Sequence, residues 1–153
     1  MSRNDPAVID RLLTQPGRWA VVGLTRNRMR PAHSVARRMR DELGLTIVPV
    51  NPAGEEVHGE PGHRTLAEIP EPVDVVDCFV NSRRVGPVVD QAIAAGAKAV
   101  WLQLGVVDED AAARAEAAGL DVVMDTCPLI ELRERLVRGW TLDPGRTPPL
   151  ARP

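Results

Sequence analysis

The chain has 153 residues, 44% of them hydrophobic and 26% charged, which is enough for one globular domain with a buried core. A net charge of −2, one phenylalanine and no tyrosine argue against a nucleic-acid-binding surface. No uncharged apolar run reaches the ~18 residues that a membrane-spanning helix needs. The polar N-terminus also lacks the apolar core of a signal peptide. These features predict a cytoplasmic protein that makes no membrane contact.

Helix-like and strand-like patterns alternate along the chain. Asp5 is predicted to cap a first helix that starts at Pro6, and short apolar runs then alternate with amphipathic segments. The predicted strands are 19–24, 46–50, 73–80, 99–104 and 120–124, and the later helices begin near residues 32, 84, 108 and 128. Pro49 cannot donate a ladder hydrogen bond, so the second strand is expected to fray there.

Strands separated by helices of this length predict an α/β fold. The expected architecture is Rossmann-like and doubly wound, with a five-stranded parallel sheet and helices on both faces. Residues 1–142 are predicted to form this single domain, and the Pro-rich segment 143–153 a disordered tail. Because ligands bind at the carboxyl ends of the strands in such folds, the candidate segments are 23–31, 50–54, 80–84, 103–106 and 125–128.

The loop after the first strand has the features of a phosphate site. Gly23 lets the backbone approach a ligand closely, and the following helix N-terminus favours an anion. Thr25 adds a hydroxyl donor, and Arg26, Arg28 and Arg30 add guanidinium groups suited to phosphate.

This loop differs from the G-x-G-x-x-G loop of NAD enzymes. Thr25 and Arg28 stand where the second and third glycines would be. The second strand ends in Asn51-Pro52, without the acidic residue that binds the NAD ribose. Both differences argue against NAD and favour a ligand with more phosphate.

Several segments together carry a resemblance to a known family. They are VVGLTRNRMRPAHSVA, PVNPAGEEVHGE, AEIPEPVDVVDCFV, AIAAGAKAVWLQLGV and AEAAGLDVVMDTCPLIE. From about Trp19 to Leu132 the chain resembles the small stand-alone CoA-binding domain proteins. These are similar to the N-terminal domain of the succinyl-CoA synthetase α subunit.

The resemblance implies coenzyme A as the ligand and assigns a part of it to each segment. The positions so implied are Gly23, Leu24, Thr25 and Arg26 for the phosphates; Val50, Asn51, Pro52, Phe79, Val80 and Asn81 for the nucleotide; Gln103 and Leu104 at the edge of the fourth strand; and Thr126, Cys127 and Pro128 near the pantetheine path. The chain departs from the family at Thr126, Leu129 and Leu132, where the family usually has basic residues, histidine or tyrosine.

The leading hypothesis is a protein that binds CoA or acyl-CoA, as a monomer or homodimer, without a reaction of its own. An NADP-dependent oxidoreductase and a nucleotide-sensing regulator remain alternatives. Cys127 is expected to be an ordinary turn residue, although a mixed disulfide with CoA is chemically possible there. Asp125 lacks a Ser/His or Cys/His partner, and the histidines lack metal-ligand spacing, so no catalytic or metal residue is predicted.

Overall fold

The computed structural model describes residues 3–142 and the backbone of 150–151. The strands are β1 (Arg18–Val22), β2 (Thr46–Val50), β3 (Val75–Cys78), β4 (Ala99–Leu102), β5 (Asp121–Met124), β6 (Thr141–Leu142) and β7 (Leu150–Ala151). The α-helices are α1 (Pro6–Thr14), α2 (Pro31–Leu43), α3 (Val85–Ala94), α4 (Glu109–Ala117) and α5 (Pro128–Val137). A single 3-10 turn, Leu66–Glu68, precedes β3.

The main sheet has five parallel strands in the order β2-β1-β3-β4-β5. The chain starts at β1, moves outward to β2, and then crosses back to β3 on the other side of β1. The order therefore reverses between β1 and β3, the point at which doubly wound sheets open a crevice for ligands. The predicted Rossmann-like α/β fold is confirmed.

Alternate residues of each strand enter two cores, one on each face of the sheet. Ala20, Val76 and Val100 pack on the side covered by α3 and α4. Trp19 and Trp101 pack on the side covered by α1, α2 and α5, with their ring centroids 5.6 Å apart. Both faces are thus buried, which explains the nearly continuous apolar runs of the strands.

Three of the strands stop earlier than their apolar runs suggest. β1 ends at Val22, β3 at Cys78 and β4 at Leu102, where the predictions extended to 24, 80 and 104. At β1 the reason is the left-handed backbone of Gly23, whose φ is +96°. The last residues of the predicted strands therefore lie in loops at the carboxyl edge.

The prediction that β2 frays at Pro49 is wrong. Pro49 aligns with Val21, and the strand continues to Val50. The carbonyl oxygen of Pro49 accepts from His63 N–H at 3.0 Å on the side away from β1, so the proline nitrogen also faces the outer edge. No hydrogen bond to β1 is lost, because β2 is an edge strand.

Both edges of the main sheet are paired with nearby backbone. His63 forms a parallel bridge with Val50 along the outer side of β2. On the outer side of β5, the amide N–H of Asn4 donates to Val122 O at 3.1 Å. The side chain of Asn4 exchanges hydrogen bonds with the backbone of Met124 at 2.7 and 2.9 Å. The sheet therefore offers little free backbone at either edge.

The C-terminal segment adds a separate antiparallel pair, β6 with β7. The predicted disordered tail, 143–153, otherwise lies outside the described residues, and its boundary stays a prediction. Within the described part of the chain, no helix combines the length and the apolar character that crossing a bilayer requires.

Candidate functional site

Loops from four strands meet at the carboxyl edge because the backbone hydrogen bonds continue past the strand ends. Gly23 N–H donates to Val50 O at 2.8 Å, and Phe79 N–H donates to Val22 O at 2.9 Å. Farther along the sheet, Asp125 N–H donates to Leu102 O at 2.9 Å. The candidate segments are thereby held side by side.

A cavity of about 450 Å³ opens at this edge. Its volume lies within the roughly 300–1,000 Å³ range of small-molecule sites. The predicted site residues in its lining are Gly23, Arg30, Phe79, Val80, Asn81, Gln103, Leu104 and Cys127. The remaining lining residues are Pro31, Ala32, Val35, Val106 and Ile130. The structure thus brings together predicted residues from four separate loops in one mostly apolar cavity.

Four of the lining residues that the predicted site omits belong to helices: Pro31, Ala32 and Val35 to α2, and Ile130 to α5. Ala32 and Val35 lie three residues apart on α2, and Ile130 lies in the first turn of α5 with 40% of its surface exposed. The spacing of Ala32 and Val35 marks a shared helix face. The sequence holds no corresponding signal for Ile130, because its place in the cavity wall depends on how α5 packs.

The turn between β1 and α2 is the part of the cavity wall suited to an anion. A Cβ atom on Gly23 would lie 2.4 Å from the carbonyl oxygen of Phe79, so the turn packs directly on the end of β3. α2 begins at Pro31 without a capping side chain. Pro31 has no N–H and the His33 N–H donates to Arg30 O at 3.1 Å, so the Ala32 N–H is the donor of the first turn left for another partner. Arg30, at the cap position, makes no side-chain hydrogen bond or salt bridge within the described residues. Leu24 is fully buried, so only its backbone can face a ligand.

The arginines of this turn are divided between two places. Arg30 lines the cavity, whereas Arg26 and Arg28 line a separate groove of about 670 Å³ beside α2. Arg26 is held there by two hydrogen bonds. Its backbone N–H donates to the Glu55 carboxylate at 2.9 Å, and its guanidinium donates to the Glu56 carbonyl at 2.8 Å. The Thr25 hydroxyl accepts from Asn27 N–H at 3.2 Å and shapes the loop between these two places.

This basic groove also contains His33, Arg37 and His58. The rings of His33 and His58 lie 4.3 Å apart. Burial, and then the nearby positive charges of His58, Arg28 and Arg37, lower the pKa of His33. Three arginines and one glutamate line the groove, so it is a cationic surface beside α2.

The end of β2 does not line the cavity. Val50 is buried in the core, and Pro52 is exposed. The buried Asn51 side chain donates to Leu24 O and Glu55 O at 2.9 and 3.0 Å and accepts from Glu55 N–H at 2.8 Å. These bonds fasten the β2 loop to the β1 loop, which gives Asn51 a structural task. The predicted adenosine contacts of residues 50–52 stay a prediction.

Asn81 and Asp125 use their oxygens to shape loops. Asn81 Oδ1 accepts from the N–H groups of Arg83 and Arg84 at 3.1 and 3.2 Å, just before α3. Asp125 has a left-handed backbone, and its carboxylate accepts from Gly105 N–H at 2.7 Å.

Cys127 lies in the cavity wall and immediately precedes α5. Burial raises the pKa of its thiol, while hydrogen bonds from the N–H groups of Leu129 and Ile130 act in the opposite direction. The net upward shift favours the neutral thiol, which is a poor nucleophile.

Asp77 is a buried carboxyl directly behind the cavity. It is fully buried on β3, and its Oδ1 accepts from the side-chain amide of Gln103, which lines the cavity. Its Oδ2 has no hydrogen-bond partner within the described residues. Burial raises the pKa of Asp77 to about 7, and the hydrogen bond from Gln103 opposes that shift. The residue types alone do not reveal this pair, because residues 77 and 103 meet only through the pairing of β3 with β4.

Another cavity, of about 550 Å³, lies at the opposite edge of the sheet and is lined by Gly17, Asp74, Lys98 and Asp121, among others. This is the amino-terminal edge of the strands, where ligands seldom bind in doubly wound folds. Within the described residues, no cluster of three or more His, Cys, Asp or Glu side chains is arranged to hold a metal ion.

The strand order, the connections and the cavity at the carboxyl edge define a Rossmann-like, doubly wound α/β domain. Residues 17–133 match the family model described as "CoA binding domain". The chain therefore belongs to the CoA-binding domain family, which confirms the resemblance seen in its sequence.

The chain is also similar to other proteins in sequence or in fold. The chain is 35% identical over 127 residues to the uncharacterized protein YneT of Bacillus subtilis (strain 168), covering 83% of this chain and 93% of that one. A hypothetical protein from Pyrococcus horikoshii OT3 has a similar structure, with a TM-score of 0.81, 32% identity and coverage of 89% and 97%. The acetyl-coenzyme A synthetase 1 of Ca. Korarchaeum cryptofilum shares the fold, with a TM-score of 0.67, 23% identity and coverage of 76% and 27%.

Proposed function

We propose that this protein binds CoA or an acyl-CoA at the carboxyl edge of its sheet and catalyses no reaction by itself. The phosphates would lie against the β1–α2 turn, and the pantetheine arm would enter the mostly apolar cavity. The observation that carries this proposal is the position of the uncapped α2 N-terminus and Arg30, at the mouth of a cavity in a domain of the CoA-binding family.

The residues present fit the chemistry of CoA. The Ala32 N–H in the first turn of α2 and the Arg30 guanidinium are donors suited to phosphate oxygens. Val35, Val106 and Ile130 provide an apolar wall for the methyl and methylene groups of the arm. The basic groove with Arg28 and Arg37 adds positive charge next to the same turn, where a further phosphate can be stabilised.

The candidate catalytic groups are engaged elsewhere or poorly activated. The Asp125 carboxylate is hydrogen-bonded to Gly105 N–H, and burial keeps the Cys127 thiol neutral. Arg30 lines the cavity and Arg26 lines the basic groove, so the two arginines do not converge on one site for the 2′-phosphate of NADP. These observations favour a binding protein over an oxidoreductase.

Native mass spectrometry of the purified protein, followed by thermal shifts with CoA, dephospho-CoA, NAD and NADP, tests this proposal. A ligand present at about 100 times its Kd stabilises a protein by roughly 2.7 kcal/mol. We expect a shift of that size with CoA and a smaller one with NAD. Stabilisation by NADP without stabilisation by CoA would contradict the proposal.

Replacing Arg30 with alanine is expected to weaken CoA binding by at least about tenfold, because a charge-assisted hydrogen bond is worth roughly 1.5–3 kcal/mol and about 1.4 kcal/mol is a factor of ten. Isothermal titration calorimetry measures the effect. The matched control is Arg133→Ala, which removes an exposed guanidinium from α5 outside the cavity. Equal affinities of the two variants would remove Arg30 from the site.

A further inference from the structure

The pairing of β3 with β4 places an unusual polar pair behind an apolar cavity. Asp77 aligns with Trp101, two residues before Gln103, and its side chain is completely buried. The carboxylate has one oxygen on the Gln103 amide and one oxygen without a partner among the described residues. Burying such a group without full hydrogen bonding costs free energy.

The hydrogen bond between the two side chains orients the amide of Gln103. In the structure the amide nitrogen Nε2 of Gln103 faces Asp77 and donates to its Oδ1. The carbonyl oxygen Oε1 then points away from the carboxylate. This oxygen has no hydrogen-bond partner among the described residues, and it is not sealed from solvent. Because Gln103 lines the cavity while only 4% of the residue is exposed, its acceptor is a fixed feature of the cavity wall.

We infer that Gln103 recognises an N–H group of the bound ligand and that Asp77 is the positioning residue that turns the Gln103 carbonyl oxygen toward it. The ligand chemistry is a secondary amide on a flexible, largely apolar chain. The inference rests on the proposed function, since the pantetheine arm of CoA carries two such amides. It adds to that function the residue, Gln103, that would bind the pantetheine arm independently of the phosphates.

Calorimetric titration of the full chain with two probes tests this inference. CoA carries the arm, and adenosine 3′,5′-bisphosphate carries phosphates and adenosine without it. Gln103→Met keeps the length of the side chain but removes the acceptor. We expect it to weaken CoA binding about tenfold, the value of one hydrogen bond whose partner is left unsatisfied. The affinity for the bisphosphate should stay unchanged.

Two substitutions of Asp77 separate positioning from simple packing. Asp77→Leu removes the acceptor that orients Gln103 and should weaken CoA binding as Gln103→Met does. It also removes a buried charge, so it keeps the test valid if Gln103→Met fails to fold. Asp77→Asn still offers a carbonyl oxygen to the Gln103 amide, so this variant should bind CoA with an affinity within about twofold of wild type. Gln91→Met, on the exposed side of α3, is the matched control and should bind both probes normally.

The outcomes separate this inference from the proposed function. Unchanged CoA affinity in both Gln103→Met and Asp77→Leu overturns the inference, as does an equal loss for CoA and the bisphosphate. If the wild-type protein binds the bisphosphate as tightly as CoA, the arm adds nothing to the affinity and the inference again fails. Failure of the wild type to bind either probe overturns the proposed function itself.

Discussion

Gly23→Ala is expected to lower the free energy of unfolding by about 2–5 kcal/mol. A left-handed backbone costs an alanine roughly 1–2 kcal/mol, and Gly23 has a φ of +96°. The added Cβ would also lie 2.4 Å from the carbonyl oxygen of Phe79, which belongs to the backbone and cannot rotate away. Overpacking of this kind typically costs roughly 1–3 kcal/mol more. Urea unfolding followed by circular dichroism measures the loss.

Gly96→Ala is the matched control for this prediction. Gly96 also has a left-handed backbone, with a φ of +75°, but no heavy atom lies within 4 Å of the place that an added Cβ would take. It should therefore show the conformational cost alone, about 1–2 kcal/mol. If Gly23→Ala costs no more than Gly96→Ala, the β1–α2 turn does not pack tightly on β3. The anion site at that turn would then lose its rigid base.

Asp77→Asn is expected to stabilise the protein increasingly as the pH rises. Burial raises the pKa of Asp77 to about 7 from its ordinary value of 3.8, so the folded state holds a proton that the unfolded state has released. The stability of the wild type therefore falls as the pH rises through this interval, by at most about 1.4 kcal/mol for each pH unit. Asparagine does not ionise, so the variant escapes this loss. Its advantage should grow by roughly 2–3 kcal/mol between about pH 5 and about pH 8.

Urea unfolding of both proteins at each pH measures this growing difference. Glu71→Gln, at an exposed position in the loop before β3, is the control and should stay within about 0.5 kcal/mol of wild type throughout. A difference between Asp77→Asn and wild type that does not change with pH would show that Asp77 is ionised in both states. The carboxyl would then be better solvated than its burial indicates.

The elements that the sequence predicts well are those governed by local patterns. Asp5 caps α1, Asp108 caps α4 and Gly44 ends α2, because each of these roles depends on a few neighbouring residues. The five apolar runs correctly predict the five strands of the main sheet, although three of these end earlier than predicted, and the alternation of strands with helices correctly predicts a parallel sheet. The topology then points to the carboxyl edge, where the cavity lies.

The features that the sequence does not predict depend on tertiary packing. Asp74 and Asp77 look alike in the sequence, yet Asp74 bonds to Arg18 N–H at the start of β3 while Asp77 is fully buried. The distinction requires the register of β3 against its neighbours. Likewise, the arginines of the β1–α2 turn look like one cluster in the sequence. In the fold, hydrogen bonds to Glu55 and Glu56, which lie in the connection after β2, hold Arg26 away from Arg30. The orientation of α5, which brings Ile130 into the cavity, also depends on how that helix packs.

The paired edges of the sheet limit how this protein can associate with itself. A second copy cannot readily extend the sheet beyond β2, because His63 occupies that side, nor beyond β5, because Asn4 does. Joining two sheets edge to edge would require breaking these local hydrogen bonds first. We therefore expect any homodimer to form through helix faces or loops, which would leave each copy with its own complete sheet and its own cavity.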